Sequence, residues 1–212
     1  MPGKNIVELC GRPLISYSIE AGLQSGIFEK VYVSTDNDEI ARIARAYGAD
    51  VPYKRPENLS NDAAGVIDVC LDLVRLLEEK GETFDSLCCL YPTAALRNAD
   101  DILGSHEVFK DEYDSVIAVT RYFFPSHQAL VANEKGRMSL YLPEIGKLKS
   151  QEVPDFWVDN GSIYWITIDA LKKEQSFYTR NMGSFKMPKN RSIDVDTAED
   201  LDMLRLLVKA LA

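Results

Sequence analysis

The chain has 212 residues, of which 46% are hydrophobic and 27% are charged, and its formal net charge is −9 at pH 7. This length fits one large domain with an ordinary hydrophobic core. The acidic balance argues against a general nucleic-acid or anionic-membrane binder, and charges interrupt each apolar run well before the roughly 20 residues of a membrane span. The N-terminus has no basic stretch followed by an apolar one, as a signal peptide would, so we expect a cytoplasmic protein.

Helix and strand patterns alternate along the chain. Apolar residues at helical spacing predict helices at residues 13–26, 37–49, 65–81, 98–109 and 197–211. Short β-branched and aromatic runs predict strands at residues 30–36, 86–91, 114–120 and 161–168. Asn98, and the pair Thr197 and Asp200, are placed to cap two of the helices. The alternation indicates a three-layer α/β fold in which helices flank a mostly parallel sheet, and we expect a single domain over residues 1–212.

Residues 121–157 break this alternation. They contain "VANEKGRMSLY", which is typical of a β-hairpin with residues 133–136 at its turn. We interpret residues 121–157, called the arm below, as a β-rich insertion within the domain. An insertion of this kind is either a dimer contact or a plain surface excursion, and the pattern leaves both open.

Two aspartates in "SIDVDTAED" are the sharpest local feature. Asp194 and Asp196 are two residues apart on a predicted strand, so both carboxylates point to the same face. At the end of a strand they would form a hard-oxygen site suited to Mg²⁺ bound to phosphates. The alternative is that Asp196 only favours the start of the following helix while Asp194 is solvated.

Several basic residues lie in loops that a parallel sheet would gather along its carboxyl edge. They are Lys4, Lys54, Arg55, Arg97 and Arg191. Each one alone is more often a solvated surface charge. Together they predict an anion site.

A third candidate site lies in "VPDFWVDNGSIYW". It places Asp159, Asn160 and Gly161 at the mouth of the predicted strand 161–168, where glycine allows a ligand close to the backbone and the polar side chains can bind hydroxyls or amides. An ordinary turn is the alternative. The chain has two histidines, His106 and His127, and neither lies beside a Ser or Cys motif, so a hydrolase triad is not expected.

Taken in order, five segments resemble the acylneuraminate cytidylyltransferase family, the CMP-sialic acid synthetases. They are "PGKNI", "GRPLISYSI", "VYVSTDNDEIARIARAYGADVPYKRP", "LYPTAALR" and "RSIDVDTAEDL". Tyr91 in "LYPTAALR", together with "FFPSHQAL" and "SQEVPDFWVDNG", is similar to the pseudaminic acid cytidylyltransferases of flagellar glycosylation. That branch usually has Ala-Thr-Ala-Pro and Asp-Ala-Gly where this chain has "PTAA" and "DNG".

The resemblance implies an activity and an assembly. The activity is the transfer of CMP from CTP to a nine-carbon 2-keto sugar acid, with release of pyrophosphate, for surface or flagellar glycans. The implied fold is that of nucleotide-diphospho-sugar transferases, which is Rossmann-like. The implied cofactor is Mg²⁺ bound by Asp194 and Asp196, the catalytic pair. The implied assembly is a homodimer in which the arm reaches the partner, while the net charge of −9 already argues against nucleic acid or a membrane as partner.

The resemblance also implies which other residues bind the two substrates. The nucleotide-binding positions are Lys4, Asn5, Arg55, Tyr91 and Thr93. The sugar-binding positions are Gln151, Asp159 and Asn160. We add Arg191 as a substrate-binding residue, because it is the basic residue next to the paired aspartates.

The chain departs from the family pattern at its front. That pattern begins with a strand and a glycine-rich loop, Ala-Arg-x-Gly-Ser-Lys, ahead of Pro-x-Lys-Asn, and this chain has only the last part, at residues 2–5. Loss of a central strand is expected to destabilise the sheet, and loss of the loop to weaken triphosphate binding. Two alternatives follow: a non-catalytic homologue that binds sugar or nucleotide, and a cytidylyltransferase for another sugar acid such as 3-deoxy-octulosonate.

Overall fold

The computed structural model describes residues 3–61 and 64–211. Its helices, α1 to α7 in chain order, are Leu14–Ser25, Asp38–Ala46, Val66–Glu79, Ala99–Glu112, Pro143–Gly146, Ile168–Glu174 and Ala198–Leu211. Its strands, β1 to β8, are Glu8–Leu9, Arg12–Pro13, Ser86–Leu90, Ser115–Arg121, Leu130–Ala132, Met138–Leu140, Trp157–Thr167 and Met182–Lys186. The five helices predicted from apolar spacing correspond to α1, α2, α3, α4 and α7.

The predicted helix caps are confirmed at α4 and α7. The side-chain oxygen of Asn98 accepts from the Asp101 N–H at 2.9 Å, and the Asp101 carboxylate accepts in return from the Asn98 N–H at 3.2 Å. At α7 the Thr197 hydroxyl accepts from the Asp200 N–H at 3.2 Å, while the Asp200 carboxylate accepts from the Thr197 N–H at 2.8 Å. Both pairs satisfy amides that have no partner inside the helix.

Four strands form the central sheet, in the order β3-β7-β4-β8. Strands β4 and β8 are parallel, whereas β7 is antiparallel to both of its neighbours, β3 and β4. The α/β fold is confirmed, and the sheet is mixed because three strands share one direction and β7 opposes them. Strand β7 returns from the arm at the end where β4 left the sheet, so no helical crossover turns it parallel.

The strand predicted at residues 30–36 is present only as two isolated parallel bridges, Tyr32 with Asp50 and Thr35 with Lys54. The Val33 N–H donates to the Asp50 carbonyl at 2.8 Å, and the Arg55 N–H donates to the Thr35 carbonyl at 2.9 Å. These bonds keep the segment extended. They do not build a continuous ladder, which is why the prediction of a full strand was wrong here.

Helices cover both faces of the central sheet, which gives the predicted three layers. On one face α4 packs on the sheet through Ile102 and Phe109, and the Phe109 ring stacks on Trp165 with centroids 5.5 Å apart. On the other face α3 and α6 pack against residues of β3, β4 and β7. Cys88 belongs to the first core and Cys89 to the second, as strand alternation requires.

The arm contains the predicted hairpin, formed by β5 and β6 in antiparallel register. The Asn133 N–H donates to the Arg137 carbonyl at 3.0 Å, and Gly136 adopts a φ of +72° at the turn. The arm also holds the short helix α5. Within the described ranges, none of the helices has both the length and the apolar character that a bilayer crossing requires.

Candidate functional site

The two aspartates lie on irregular backbone between a 3-10 turn, Lys189–Arg191, and helix α7, and not on a strand as predicted. Val195 between them is fully buried in a cluster with Leu9 and Leu14. Its N–H donates to the carbonyl of Thr93 at 3.3 Å. The buried valine therefore ties the two carboxylates to the loop that follows β3.

The Asp194 carboxylate is half-buried and incompletely satisfied. Its Oδ1 atom is buried and accepts no hydrogen bond from the residues described. Burial raises the pKa of Asp194 and the negative charge of Asp196 adds to this effect, while a hydrogen bond from Thr93 and the charge of Lys4 oppose it. A buried carboxylate oxygen without a partner is costly, so this atom indicates a place for a cation or a hydrogen-bond donor.

The Asp196 carboxylate is exposed and paired with a cation. Lys4 Nζ donates to its Oδ1 atom at 2.7 Å, although the two residues are 192 positions apart. Lys4 begins a 3-10 turn, Lys4–Ile6, that also contains Asn5. The structure therefore brings the predicted residues Lys4, Asp194 and Asp196 together. Pro2, which belongs to the same predicted motif, lies outside the described residues.

A cavity of about 230 Å³ opens beside Asp194. Its walls come from the end of β4, the start of β7 and the segment before α7: Thr120, Arg121, Tyr122, Phe123, Val158, Asp159, Asn160, Gly161, Ser192 and Asp194. Small-molecule pockets are usually about 300–1,000 Å³, so this cavity would hold part of a ligand of drug size.

Asn160 supplies a second unsatisfied acceptor on the cavity wall. Its side chain is buried, and its Nδ2 atom donates to the Ser192 hydroxyl at 3.0 Å. Its Oδ1 atom, like Asp194 Oδ1, has no donor among the described residues. Two residues of one cavity wall that each keep an unpartnered oxygen fit a ligand that brings hydroxyl groups or a bound cation.

Asp159 also lines the cavity, but its carboxylate is satisfied by the protein itself. Its Oδ1 atom accepts from the Gly161 N–H at 2.9 Å and from the Tyr164 hydroxyl at 2.8 Å. Its Oδ2 atom accepts from the Tyr178 hydroxyl at 2.6 Å. The hydrogen bond to Asp159 raises the pKa of Tyr178 to about 12, so this tyrosine stays a donor at neutral pH.

Tyr91 and Thr93 follow β3 and are not among the residues that line the cavity. The Tyr91 ring packs on the Tyr164 ring with centroids 4.9 Å apart, and burial raises the pKa of Tyr91. Thr93 is 4% exposed. Tyr91 is therefore linked to the cavity through Tyr164, and Thr93 through the segment that carries Asp194.

The predicted anion site is not assembled as a single cluster of free cations. Arg97 is 3% exposed and donates to the Ser162 carbonyl at 2.6 Å and to the Ser18 hydroxyl at 2.5 Å, so it cannot reach a phosphate. Burial lowers the pKa of Arg97 to about 10, which leaves it charged at neutral pH. Arg191 pairs with the buried carboxylate of Asp101 at 2.5 Å, and so anchors the turn before the aspartates to α4.

Arg55 and Gln151 lie apart from the cavity. Arg55 follows the bridge between Thr35 and Lys54, and its guanidinium contacts Asp36 at 3.4 Å and the Ser60 hydroxyl at 3.2 Å. Gln151 lies on a 3-10 turn of the arm, Ser150–Glu152, and is exposed. Their predicted contacts with cytosine and sugar stay predictions.

Of the cavity-lining residues, the sequence indicated only Asp159, Asn160, Gly161 and Asp194. Arg121 lines the cavity, and its position at the end of the strand predicted at residues 114–120 could have indicated this. Tyr178 bonds Asp159 from 19 residues away, and no local pattern signals that contact.

The side chains beside the cavity are compatible with a Mg²⁺ ion that shares its ligands with phosphate. The described residues hold no cluster of three or more His, Cys, Asp or Glu side chains able to bind a metal ion. Mg²⁺ usually takes one or two protein carboxylates and completes its shell with phosphate oxygens and water. Asp194, with its unpartnered buried oxygen, and the exposed Asp196 therefore fit Mg²⁺ that arrives with a triphosphate.

Known proteins resemble this chain over most of its length. A family model described as Cytidylyltransferase matches residues 1–133. A pseudaminic acid cytidylyltransferase of Campylobacter jejuni subsp. jejuni is 35% identical over 210 residues, which cover 99% of this chain and 90% of that protein. A CMP-N,N'-diacetyllegionaminic acid synthase of Legionella pneumophila subsp. pneumophila is 33% identical over 213 residues, with the same two coverages.

The fold has a counterpart among solved structures. A CMP:2-keto-3-deoxy-manno-octonic acid synthetase complexed with CTP has a TM-score of 0.71 and 19% identity, and the match covers 100% of this chain and 94% of that one. At this identity the likeness concerns the fold alone. The family match over residues 1–133, together with relatives at 33% and 35% identity over 99% of the sequence, shows that the chain belongs to the cytidylyltransferase family.

Proposed function

We propose that this protein transfers CMP from CTP to a nine-carbon 2-keto sugar acid of the pseudaminic or sialic acid type. The observation that carries the proposal is a cavity lined by Asp194 and Asn160, each of which has a buried Oδ1 atom without a donor, beside the Lys4–Asp196 pair. A hydroxyl-rich sugar and a metal-bound triphosphate would satisfy both acceptors. The named activities of the relatives at 33% and 35% identity support the same substrates.

In the reaction, the anomeric hydroxyl oxygen of the sugar forms a bond to the α-phosphorus of CTP. The bond from this phosphorus to the oxygen that bridges it to the β-phosphorus breaks, pyrophosphate leaves with that electron pair, and the hydroxyl proton is released. Reactions of this class depend mainly on positioning and on electrostatic stabilisation of the phosphoryl oxygens. Lys4 Nζ is placed to contribute one positive charge to the phosphates once it leaves Asp196.

Asp194 and Asp196 would hold Mg²⁺. The ion would neutralise triphosphate charge and polarise the phosphoryl oxygens. Lys4 and Asp196 form an ion pair in which the Asp196 side chain is 71% exposed, so exchanging the lysine for another cation involves little desolvation.

The sugar acid needs a positive partner for its carboxylate. Arg121 lies on the cavity wall with its guanidinium 2.8 Å from Asp155 in an exposed pair, and within 5.2 Å of the Trp157 ring. An arginine can bind a carboxylate through two parallel hydrogen bonds. We therefore add Arg121 to Asn160 as a sugar contact. Arg191 contributes through its bond to Asp101, by holding the turn before the aspartates in place.

A coupled assay of pyrophosphate release tests the proposal, with CTP, Mg²⁺ and a panel of pseudaminic, legionaminic, N-acetylneuraminic and 3-deoxy-octulosonic acids. We expect turnover with at least one nine-carbon acid and a preference for pseudaminic or legionaminic acid. Activity restricted to the eight-carbon acid would move the assignment to another sugar. Binding of CTP or sugar by folded protein with no turnover would support a non-catalytic homologue.

We also propose that the protein is a homodimer assembled through the arm and works in the cytoplasm, where CTP is available. The arm carries large exposed apolar side chains, with exposed fractions from 39% for Leu148 to 84% for Phe124. Patches of this kind are typical of protein interfaces, and a twofold axis would bury one arm against the other. Sedimentation equilibrium should give twice the chain mass.

A further inference from the structure

We propose that Gly161, held in place by the Asp159 carboxylate, is the positioning residue that seats Asp194 for the reaction. The inference rests on the proposed function, since Asp194 is one of the two carboxylates assigned to the metal. It gives Asp159 a role different from the sugar contact expected from the family resemblance.

The first observation is a large bulge in β7 next to the site. Ile117 pairs with Tyr164, and the next pairing brings Val119 opposite Asp159. One residue of β4 is therefore matched by residues 160–163 of β7. Bulges re-aim side chains and occur often beside active sites. Here the bulge carries Asn160 and Gly161 to the cavity wall.

The second observation is that the bulge leaves no room for a side chain at position 161. Gly161 has a φ of +66°, which favours glycine. A β-carbon placed there would lie 2.7 Å from Asp194 Oδ2 and 3.0 Å from Asp194 Cγ. The Asp194 carboxylate therefore lies directly against the Gly161 backbone, in space that a side chain would otherwise occupy.

The third observation is that Asp159 holds the Gly161 backbone in place. Its Oδ1 atom binds the Gly161 N–H directly, which holds the peptide on the N-terminal side of the glycine. The same carboxylate is held from two other directions, by the hydroxyls of Tyr164 and Tyr178. Three donors occupy both oxygens, so Asp159 acts within the protein and reaches the reaction only through Gly161 and Asp194.

The main test compares Gly161→Ala with a matched control, Gly26→Ala. Gly26 has a φ of +67° and nothing within 4 Å of a β-carbon, so the backbone strain is the same and no carboxylate is near. Crystal structures of both variants report directly on the inference. In Gly161→Ala we expect the Asp194 carboxylate to move by about 1 Å, and a displacement of that size can lower turnover by about 10²-fold. Gly26→Ala should keep wild-type turnover and the wild-type position of Asp194.

Two further measurements separate positioning from a general loss of structure. Mn²⁺ affinity, followed by electron paramagnetic resonance with the protein alone and with CTP, should fall at least about tenfold in Gly161→Ala but stay unchanged in Gly26→Ala. In an Asp194→Asn background, Gly161→Ala should cause no further loss of turnover, because residues that act through one group are not additive.

If Gly161→Ala does not fold, Tyr178→Phe takes its place, since Tyr178 is 60% exposed and its hydroxyl bonds only to Asp159 among the described residues. It should weaken Mn²⁺ binding several-fold while Asp159 keeps its other donors. An unmoved Asp194 carboxylate and unchanged Mn²⁺ affinity in the variants would overturn the inference. Absence of CMP transfer by the wild-type protein would refute the proposed function, whereas the position of Asp194 in Gly161→Ala would still decide the positioning role.

Discussion

Substitution of Arg97 by methionine should remove a buried link between three elements of the fold. The guanidinium donates to Ser18 of α1, to the carbonyl of Tyr91 after β3, and to the carbonyl of Ser162 in β7. Methionine keeps most of the length of the side chain but removes the donor to the Ser162 carbonyl, whereas the Tyr91 carbonyl keeps the Ser18 hydroxyl and the Ala94 N–H as donors. A hydrogen bond to a charged group contributes about 1.5–3 kcal/mol, and an orphaned buried acceptor costs about 1–3 kcal/mol.

The burial cost of the guanidinium offsets part of this loss, and its lowered pKa of about 10 reflects that cost. We therefore expect the free energy of unfolding to fall by about 3 kcal/mol, and the melting temperature to fall by about 6–12 °C for a chain of this size. Urea unfolding followed by tryptophan fluorescence measures the change, because Trp165 is buried in the core.

A surface arginine supplies the control for this experiment. Arg75 has a side chain that is 62% exposed and pairs with Asp72 and Glu79 on the same helix. Such pairs contribute about 0–1 kcal/mol, so Arg75→Met should stay close to the wild-type protein. An Arg97→Met variant that loses no more than Arg75→Met would refute the view that the buried guanidinium links the three elements.

Asp196→Asn should lower turnover by more than about tenfold, because it removes a charge from the proposed metal pair. The control is Asp202→Asn at an exposed carboxylate, and equal turnover of the two variants would contradict the metal role. The raised pKa of Tyr178, about 12 against an ordinary 10, means that the unfolded chain loses this proton first. The stabilisation that protonated Tyr178 contributes is complete below about pH 10 and disappears towards pH 12. Between pH 8 and pH 11 the free energy of unfolding, measured with urea, should therefore fall less in Tyr178→Phe than in the wild-type protein. Phe124→Ser, at a side chain that is 84% exposed, should shift the dimer towards monomer in sedimentation at micromolar concentration, and an unchanged mass would exclude a role of Phe124 in the interface.

Short-range signals in the sequence predicted most of the local structure. The helical spacing of apolar residues, the Asn98 and Thr197 caps and the turn around Gly136 all depend on contacts within a few residues. The motif residues Asp194, Asp196 and Lys4 were also recognisable in the sequence, because their types and order indicated a site for metal and phosphate. Their union within one site was inferred through the family resemblance, since Lys4 and Asp196 are 192 positions apart.

Long-range packing decided what the local patterns could not. The direction of β7 is set by the arm, which returns to the sheet at the end where β4 leaves it. The predicted strand at residues 30–36 is reduced to two bridges because its pairing with residues 50–54 is limited to isolated positions. Whether a charged residue is free or engaged likewise depends on distant partners. Arg97 donates to a carbonyl 65 positions away, Arg191 donates to a carboxylate 90 positions away, and the Asp159 carboxylate accepts from a hydroxyl 19 positions away. The sequence by itself therefore determined the family, the helices and the chemical groups available. The tertiary structure decided which of those groups keep unused hydrogen-bonding capacity, because burial and hydrogen bonds between distant residues satisfy some of them and leave one oxygen each of Asp194 and Asn160 without a donor.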